Sequence, residues 1–119
     1  MTDQELGEAL DEHDGYVHSL LRGDIDWLEF LEAYADFYWR FALDGHEATD
    51  VEAAILAAAR DRIEPHRRIC EDVLANVCAD DDAAKAAYQA SGRVGSLDAI
   101  RLIGGIVRDC GGEPLRRTT

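Results

Sequence analysis

Proline is scarce in this sequence, and long apolar runs are absent. Two prolines among 119 residues, together with 47% hydrophobic residues, indicate a folded globule rather than a disordered tail. No stretch reaches the 18 or more apolar residues of a membrane span, and the start MTDQELGEAL lacks a basic segment followed by an apolar one. We therefore expect a soluble cytoplasmic protein without a secretory signal.

Motifs for metal binding and catalysis are also missing. The three cysteines include no CxxC pair, which is typical of reduced thiols packed in a core. His66 and Cys70 stand four residues apart on one helix face, but no second ligand pair with zinc spacing accompanies them, and His66 is interpreted as a partly exposed helix residue. No base or nucleophile is placed beside a paired carboxylate. We expect no metal, no cofactor and no enzymatic activity.

Positive charge is nearly absent from the first half of the chain. Residues 1–52 carry 15 acidic residues against two arginines, so their net charge is 2 − 15 = −13, whereas residues 53–119 carry ten of each sign. Such a field repels nucleic acid and anionic membranes and attracts basic proteins, although solubility alone would also explain it. The main basic cluster is expected to pair with acids of the same chain or of a second copy. It consists of Arg60, Arg62, Arg67 and Arg68.

Capping signals predict where the first helices begin and end. Thr2 with Glu5 opens a helix that ends at Gly23, and Asp26 with Glu29 opens a second helix that ends before Gly45. A third begins at Thr49 with Glu52. Either it continues as one long helix with a kink at Pro65, or it ends near Arg62 and a new helix follows with Pro65 in its first turn; we favour two helices. Further helices are predicted from Asp80–Asp82 to Ala90 and from Ser96 to about Cys110.

No segment alternates between apolar and polar residues in the way of a strand. The pattern therefore predicts an all-α, single-domain bundle of five or six helices over residues 1–112, with a loose C-terminal tail at 113–119.

The second predicted helix holds most of the aromatic residues. Six of them fall on one helical stripe about 120 degrees wide, so we interpret them as core. Trp39 lies outside this stripe beside acidic residues, and packing against another helix is favoured there over a role as a binding anchor. The aromatic residues of this segment are Trp27, Phe30, Tyr34, Phe37, Tyr38, Trp39 and Phe41.

The segment LLRGDIDWLEFLEAYADFYW ends one helix at Gly23 and begins an aromatic helix containing Glu29, Phe30 and Tyr34. In this it resembles the small helical immunity proteins of colicin-like and polymorphic bacterial toxins, over about the first 45 residues. The resemblance implies a bacterial protein that neutralises a toxin, such as a nuclease with a basic surface, by covering its active site with acidic groups.

Two classes of function follow from these observations. The first is an acidic inhibitor that binds a basic protein directly, without contact to nucleic acid or membrane; its predicted contact residues are Glu29, Glu32, Asp36, Trp39, Asp11 and Asp14. The alternative is a homo-oligomeric helical adaptor or scaffold, such as a homodimer, in which the acidic half of one copy meets the basic cluster of another.

Overall fold

The computed structural model of the protein describes residues 2–78 and 92–110. Within these ranges the chain forms six α-helices, and one π-turn and one short 3-10 helix lie before the last of them. The α-helices are α1 (Asp3–Arg22), α2 (Trp27–Tyr34), α3 (Phe37–Arg40), α4 (Asp50–Ala58), α5 (Arg60–Arg68) and α6 (Ser96–Asp109); the π-turn spans Ile69–Val73 and the 3-10 helix Leu74–Asn76. The predicted all-α bundle is confirmed.

The capping residues predicted for α1, α2 and α4 are confirmed. The Thr2 hydroxyl accepts a hydrogen bond from the backbone N–H of Glu5, and α1 ends at Gly23, which has a φ of 79°. Complete capping boxes begin α2 at Asp26 and α4 at Thr49. These contacts are local, which is why the sequence predicts them.

The predicted second helix is shorter than expected and breaks in two. Ala35 and Asp36 form a turn between α2 and α3, and α3 ends at Arg40 rather than near Gly45. The N–H of Ala42 bonds the carbonyl of Trp39, while the N–H of Leu43 bonds that of Tyr38, so the end is a Schellman motif. Ala42 has a φ of 49°, a conformation that glycine usually supplies. Leu43 is buried beyond it, and this burial favours the early end.

The prediction for Pro65 is wrong. The helix breaks at Ala59, and Pro65 lies inside α5, which continues into the π-turn. An interior proline costs about 3 kcal/mol because it removes a backbone donor and crowds the preceding turn. Ile63, Pro65 and His66 are all buried, and we attribute the tolerance of the proline to this packing.

The C-terminal helix α6 begins at Ser96 with Gly95 as its N-cap, one residue earlier than expected from a cap at Ser96. Two backbone hydrogen bonds join Val94, near the start of the second described range, to Asn76 and Cys78 at the end of the first. The helix predicted from Asp80 to Ala90 and the tail at 113–119 lie outside the described residues.

The buried apolar side chains form one core to which all six α-helices and the π-turn contribute. Six aromatic residues of the α2–α3 segment are confirmed as core or as packed against it. Trp39 differs, because 51% of its side chain is exposed, so its favoured interpretation as a packed residue is wrong. No helix among the described residues is both long enough and apolar enough to cross a bilayer.

Candidate functional site

The outer side of α2 and α3 exposes acidic and apolar side chains together. Leu28 is 69% exposed and Trp39 51% exposed, and both are large apolar side chains. Glu32 and Asp36, also exposed, lie between them in sequence. Leu28 and Glu32 share one side of α2, since they are four residues apart, and Asp36 and Trp39 follow in the turn and in α3. We call Leu28, Glu32, Asp36 and Trp39 the α2–α3 surface.

The carboxylates of this surface are not used inside the described part of the chain. Neither the Glu32 nor the Asp36 side chain forms a hydrogen bond or an ion pair with a described residue. Glu29, the adjoining predicted contact, is exposed but has a structural task, since its Oε1 accepts a hydrogen bond from the N–H of Asp26. The surface therefore offers two carboxylates and two apolar side chains to a partner.

The two predicted contact residues of α1 are placed differently from expectation. Asp11 is exposed and forms an ion pair with Arg62 at 2.9 Å. Asp14 is only 1% exposed, so its expected role in a surface contact is corrected. It stands four residues after Leu10 and three before Val17, both buried, and therefore faces the core with them.

Asp14 belongs to a buried chain of hydrogen bonds that joins α1, α2 and α5. Its Oδ1 lies 2.7 Å from Nε2 of His66, and Nδ1 of His66 lies 2.5 Å from the hydroxyl of Tyr34. A carboxylate only accepts, so Nε2 of His66 donates to Asp14, while Nδ1 shares a hydrogen bond with the hydroxyl of Tyr34. Burial, followed by the negative charge of Asp14, raises the pKa of Tyr34 well above its usual range and keeps this hydroxyl protonated.

His66 is fully buried, which corrects its interpretation as a partly exposed residue. Its ring meets Phe37 edge-on, with centroids 5.2 Å apart. No group of three or more histidine, cysteine, aspartate or glutamate residues with metal-binding geometry occurs in the described ranges. The imidazole instead satisfies the polar groups of Asp14 and Tyr34.

Arg62 closes the outer end of this network. Its guanidinium lies 2.6 Å from Oδ2 of Asp14 and also contacts Asp11. Partial burial lowers the pKa of Arg62, but the hydrogen bonds and charges of the two aspartates outweigh this and raise it overall. The buried carboxylate of Asp14 is thus compensated by one positive charge and two donors, as a buried ion requires.

The carboxylate, imidazole and hydroxyl of this network stand in an order found in some catalytic sites, but all three side chains are buried. Tyr34 is 2% exposed. Three surface grooves of about 250, 270 and 440 Å³ are lined by described residues, and Asp14, Tyr34 and His66 line none of them. A hydroxyl without access to solvent cannot attack a bound molecule, so the network in this conformation holds helices together.

Most arginines of the basic cluster pair with acids of the same chain, which is one of the two predicted arrangements; the other was pairing with a second copy. Of the four arginines, three form ion pairs with acids of this chain: Arg62 with Asp11 and Asp14, Arg67 with Glu64 and Glu71, and Arg68 with Asp109. Arg60 forms no ion pair with a described residue. Three of the four arginines of the cluster are therefore compensated by acids of the same chain.

Compared with family models, with curated proteins and with solved structures, the chain matches none.

The sequence shows the α2–α3 surface but not the network behind it. Exposed positions follow from helical periodicity, which is local. The sequence did contain a sign that Asp14 is buried, because its position shares a helix face with Leu10 and Val17. The sequence contains no sign of which residues bind Asp14, since His66 is 52 residues away along the chain.

Proposed function

We propose that this chain is an acidic protein-binding module that acts as an immunity-type or antitoxin-type inhibitor of a basic partner, such as a nuclease toxin. The observation that carries the proposal is the α2–α3 surface, where Glu32 and Asp36 lie among the exposed side chains of Leu28 and Trp39. Large apolar and aromatic side chains supply affinity at interfaces, and surrounding charges supply orientation and association rate.

The charge distribution supports the same proposal. The net charge of −13 arises from residues 1–52, which include α1, α2 and α3. A nuclease must attract phosphate and therefore presents a positive field, in which carboxylates of an inhibitor gain association rate. The resemblance of the first helices to toxin immunity proteins points to the same class of partner.

The alternative of a homo-oligomeric scaffold has less support. It needs the basic cluster of one copy to be open to the acidic half of another, whereas three of the four arginines already pair with acids of their own chain. Two copies that each carry a net charge of −13 also repel each other.

A capture experiment in two stages tests the proposal. The purified chain is used as bait in a lysate of its host, and bound proteins are recovered after washes at low and at high salt. Any captured protein is then purified, and its binding and enzymatic inhibition are measured with the wild type and with Trp39→Ala. Salt-sensitive binding of one basic protein, with inhibition weakened by Trp39→Ala, supports the proposal. Recovery of only the bait, as a salt-sensitive oligomer, favours the scaffold.

A further inference from the structure

His13 is a buried histidine whose ring has one satisfied nitrogen and one unsatisfied nitrogen. It is 2% exposed, and its Nδ1 lies 2.7 Å from the carbonyl oxygen of Ala9. Because a carbonyl only accepts, Nδ1 carries the proton of the neutral ring. Nε2 is buried and has no hydrogen-bond partner in the described part of the chain. A second proton would therefore be placed where nothing accepts its hydrogen bond.

Aromatic rings from α1 and the α2–α3 segment enclose this nitrogen-bearing ring. Phe37 stacks on His13 with centroids 3.7 Å apart and an interplanar angle of 5°. Tyr16 meets it edge-on at 5.2 Å, and Tyr34 and Phe41 lie 6.0 and 6.4 Å away. Stacking of an imidazolium on an aromatic face contributes less than the burial of an uncompensated charge costs. The enclosure therefore favours the neutral ring.

The charged and titratable groups around His13 do not reverse this balance. Glu12 lies 4.0 Å from Nδ1, but it is 61% exposed and its attraction is screened by water. Arg40 and His66 act against a second positive charge. Burial lowers the pKa of His13 below its usual value, and the Ala9 hydrogen bond and Glu12 oppose this only in part. The groups that face it are Glu12 and Tyr16 on α1, Tyr34 on α2, Arg40 on α3 and His66 on α5.

We propose that His13 makes the α2–α3 surface acid-sensitive: its protonation loosens α3, and the surface that α3 carries loses its binding geometry. Phe37 contacts His13 from the inner side of α3, while Trp39 and Asp36 lie on its outer side. A positive charge on His13 would disturb the packing of Phe37, and through it the position of the neighbouring residues that a partner would contact. The effect on binding rests on the proposed function, but the loosening of α3 does not.

The expected pH dependence follows from proton linkage. Because the folded protein binds the proton of His13 less readily than the unfolded chain does, stability is fully present above about pH 6.5 and is lost as the pH falls below that value. The thermal midpoint of the wild type should fall by up to about 5 °C per pH unit within this window. Fluorescence of Trp27 and Trp39, both in the α2–α3 segment, should change over the same range.

Three variants test whether the pH dependence arises from His13 rather than from the exposed His46. His13→Phe keeps a flat ring against Phe37, and His13→Gln supplies a neutral polar side chain; both should lose most of the midpoint shift between pH 7.5 and 5.0. His46→Gln is the control, because His46 is about half exposed and its contact with Asp44 raises rather than lowers its pKa. It should keep the full shift. Equal shifts in the wild type and both His13 variants would overturn the proposal.

A measurement on the wild-type protein tests the proposal even if the His13 variants fold poorly. The ring signals of His13 are titrated by NMR while hydrogen exchange is followed residue by residue. Loss of protection in α3 that tracks the titration of His13 supports the proposal, and protection in α3 that is indifferent to it contradicts the proposal. A failure of the proposed function would instead appear as absent binding at pH 7.5, where His13 is neutral.

Discussion

The Nε2 atom of His66 donates a hydrogen bond to Oδ1 of Asp14 over 2.7 Å, across 52 residues of sequence. Both side chains are almost completely excluded from solvent. The contact fixes α5 against α1, and Tyr34 extends it to α2, so three helices share one polar connection within an apolar core. Such a connection specifies one arrangement of the helices, because any other arrangement would leave buried polar groups without partners.

Replacing Asp14 by asparagine should destabilise the fold strongly. The substitution keeps the shape but removes the charge that compensates Arg62 and accepts from His66, at a cost of about 3 kcal/mol. Asp11→Asn is the control, since Asp11 binds the same guanidinium from an exposed position, and it should cost less than about 1 kcal/mol. Free energies of unfolding from urea titrations at pH 7 measure both. Equal losses would show that the buried connection has no special role.

Removing the hydroxyl of Tyr34 should also be costly. Tyr34→Phe leaves Nδ1 of His66 buried without a hydrogen-bond partner and should lower the free energy of unfolding by about 2 kcal/mol. Tyr16→Phe removes a hydroxyl that donates to exposed Glu12, and it should change stability by less than about 0.5 kcal/mol. The same denaturant titration compares the pair, and a neutral Tyr34→Phe would be the contradictory outcome.

The Schellman motif that ends α3 predicts a stabilising glycine. Ala42 has a φ of 49°, so Ala42→Gly should relieve backbone strain and raise the free energy of unfolding by about 1 kcal/mol. The reverse exchange, Gly23→Ala, is matched to it because Gly23 closes the same motif at the end of α1 with a φ of 79°. It should destabilise by about 1 kcal/mol. Thermal midpoints that move in the same direction would contradict the assignment.

Alkaline stability should depend on Tyr38. Burial, followed by the charges of Glu71 and Asp44, raises the pKa of this buried hydroxyl to about 12. The folded state then holds its proton more tightly than the unfolded state does, so stability is present below pH 10 and is lost as the pH rises toward 12. Tyr38→Phe should be near neutral at pH 7 and about 1 kcal/mol more stable than the wild type at pH 11. Urea titrations at both pH values would show whether the difference arises.

Charge reversal on the α2–α3 surface should slow binding to a basic partner. The double variant Glu32→Lys with Asp36→Lys should reduce the association rate about tenfold at low salt and flatten its salt dependence. The control reverses two exposed carboxylates elsewhere, Glu8 and Glu47, and makes the same change in net charge. Stopped-flow association with the captured partner compares them. If both doubles slow binding equally, only net charge matters and the surface is not the site.

The sequence alone determines where α1, α2 and α4 begin. Thr2, Asp26 and Thr49 bond backbone N–H groups three residues away, and those contacts form wherever the segment is placed. The same locality explains the confirmed core stripe of aromatic residues, because periodicity fixes which side chains share a face.

The tertiary structure decided where helices end and which polar residues are buried. Ala42 ends α3 because Leu43 has a place in the core, and α5 runs through Pro65 because its neighbours are packed. The burial of Asp14 depends on His66 and Arg62, which only the folded chain brings to it. A carboxylate is stable in a core when its partners are present there, and their approach across some 50 residues is a property of the packing of helices and not of any local pattern.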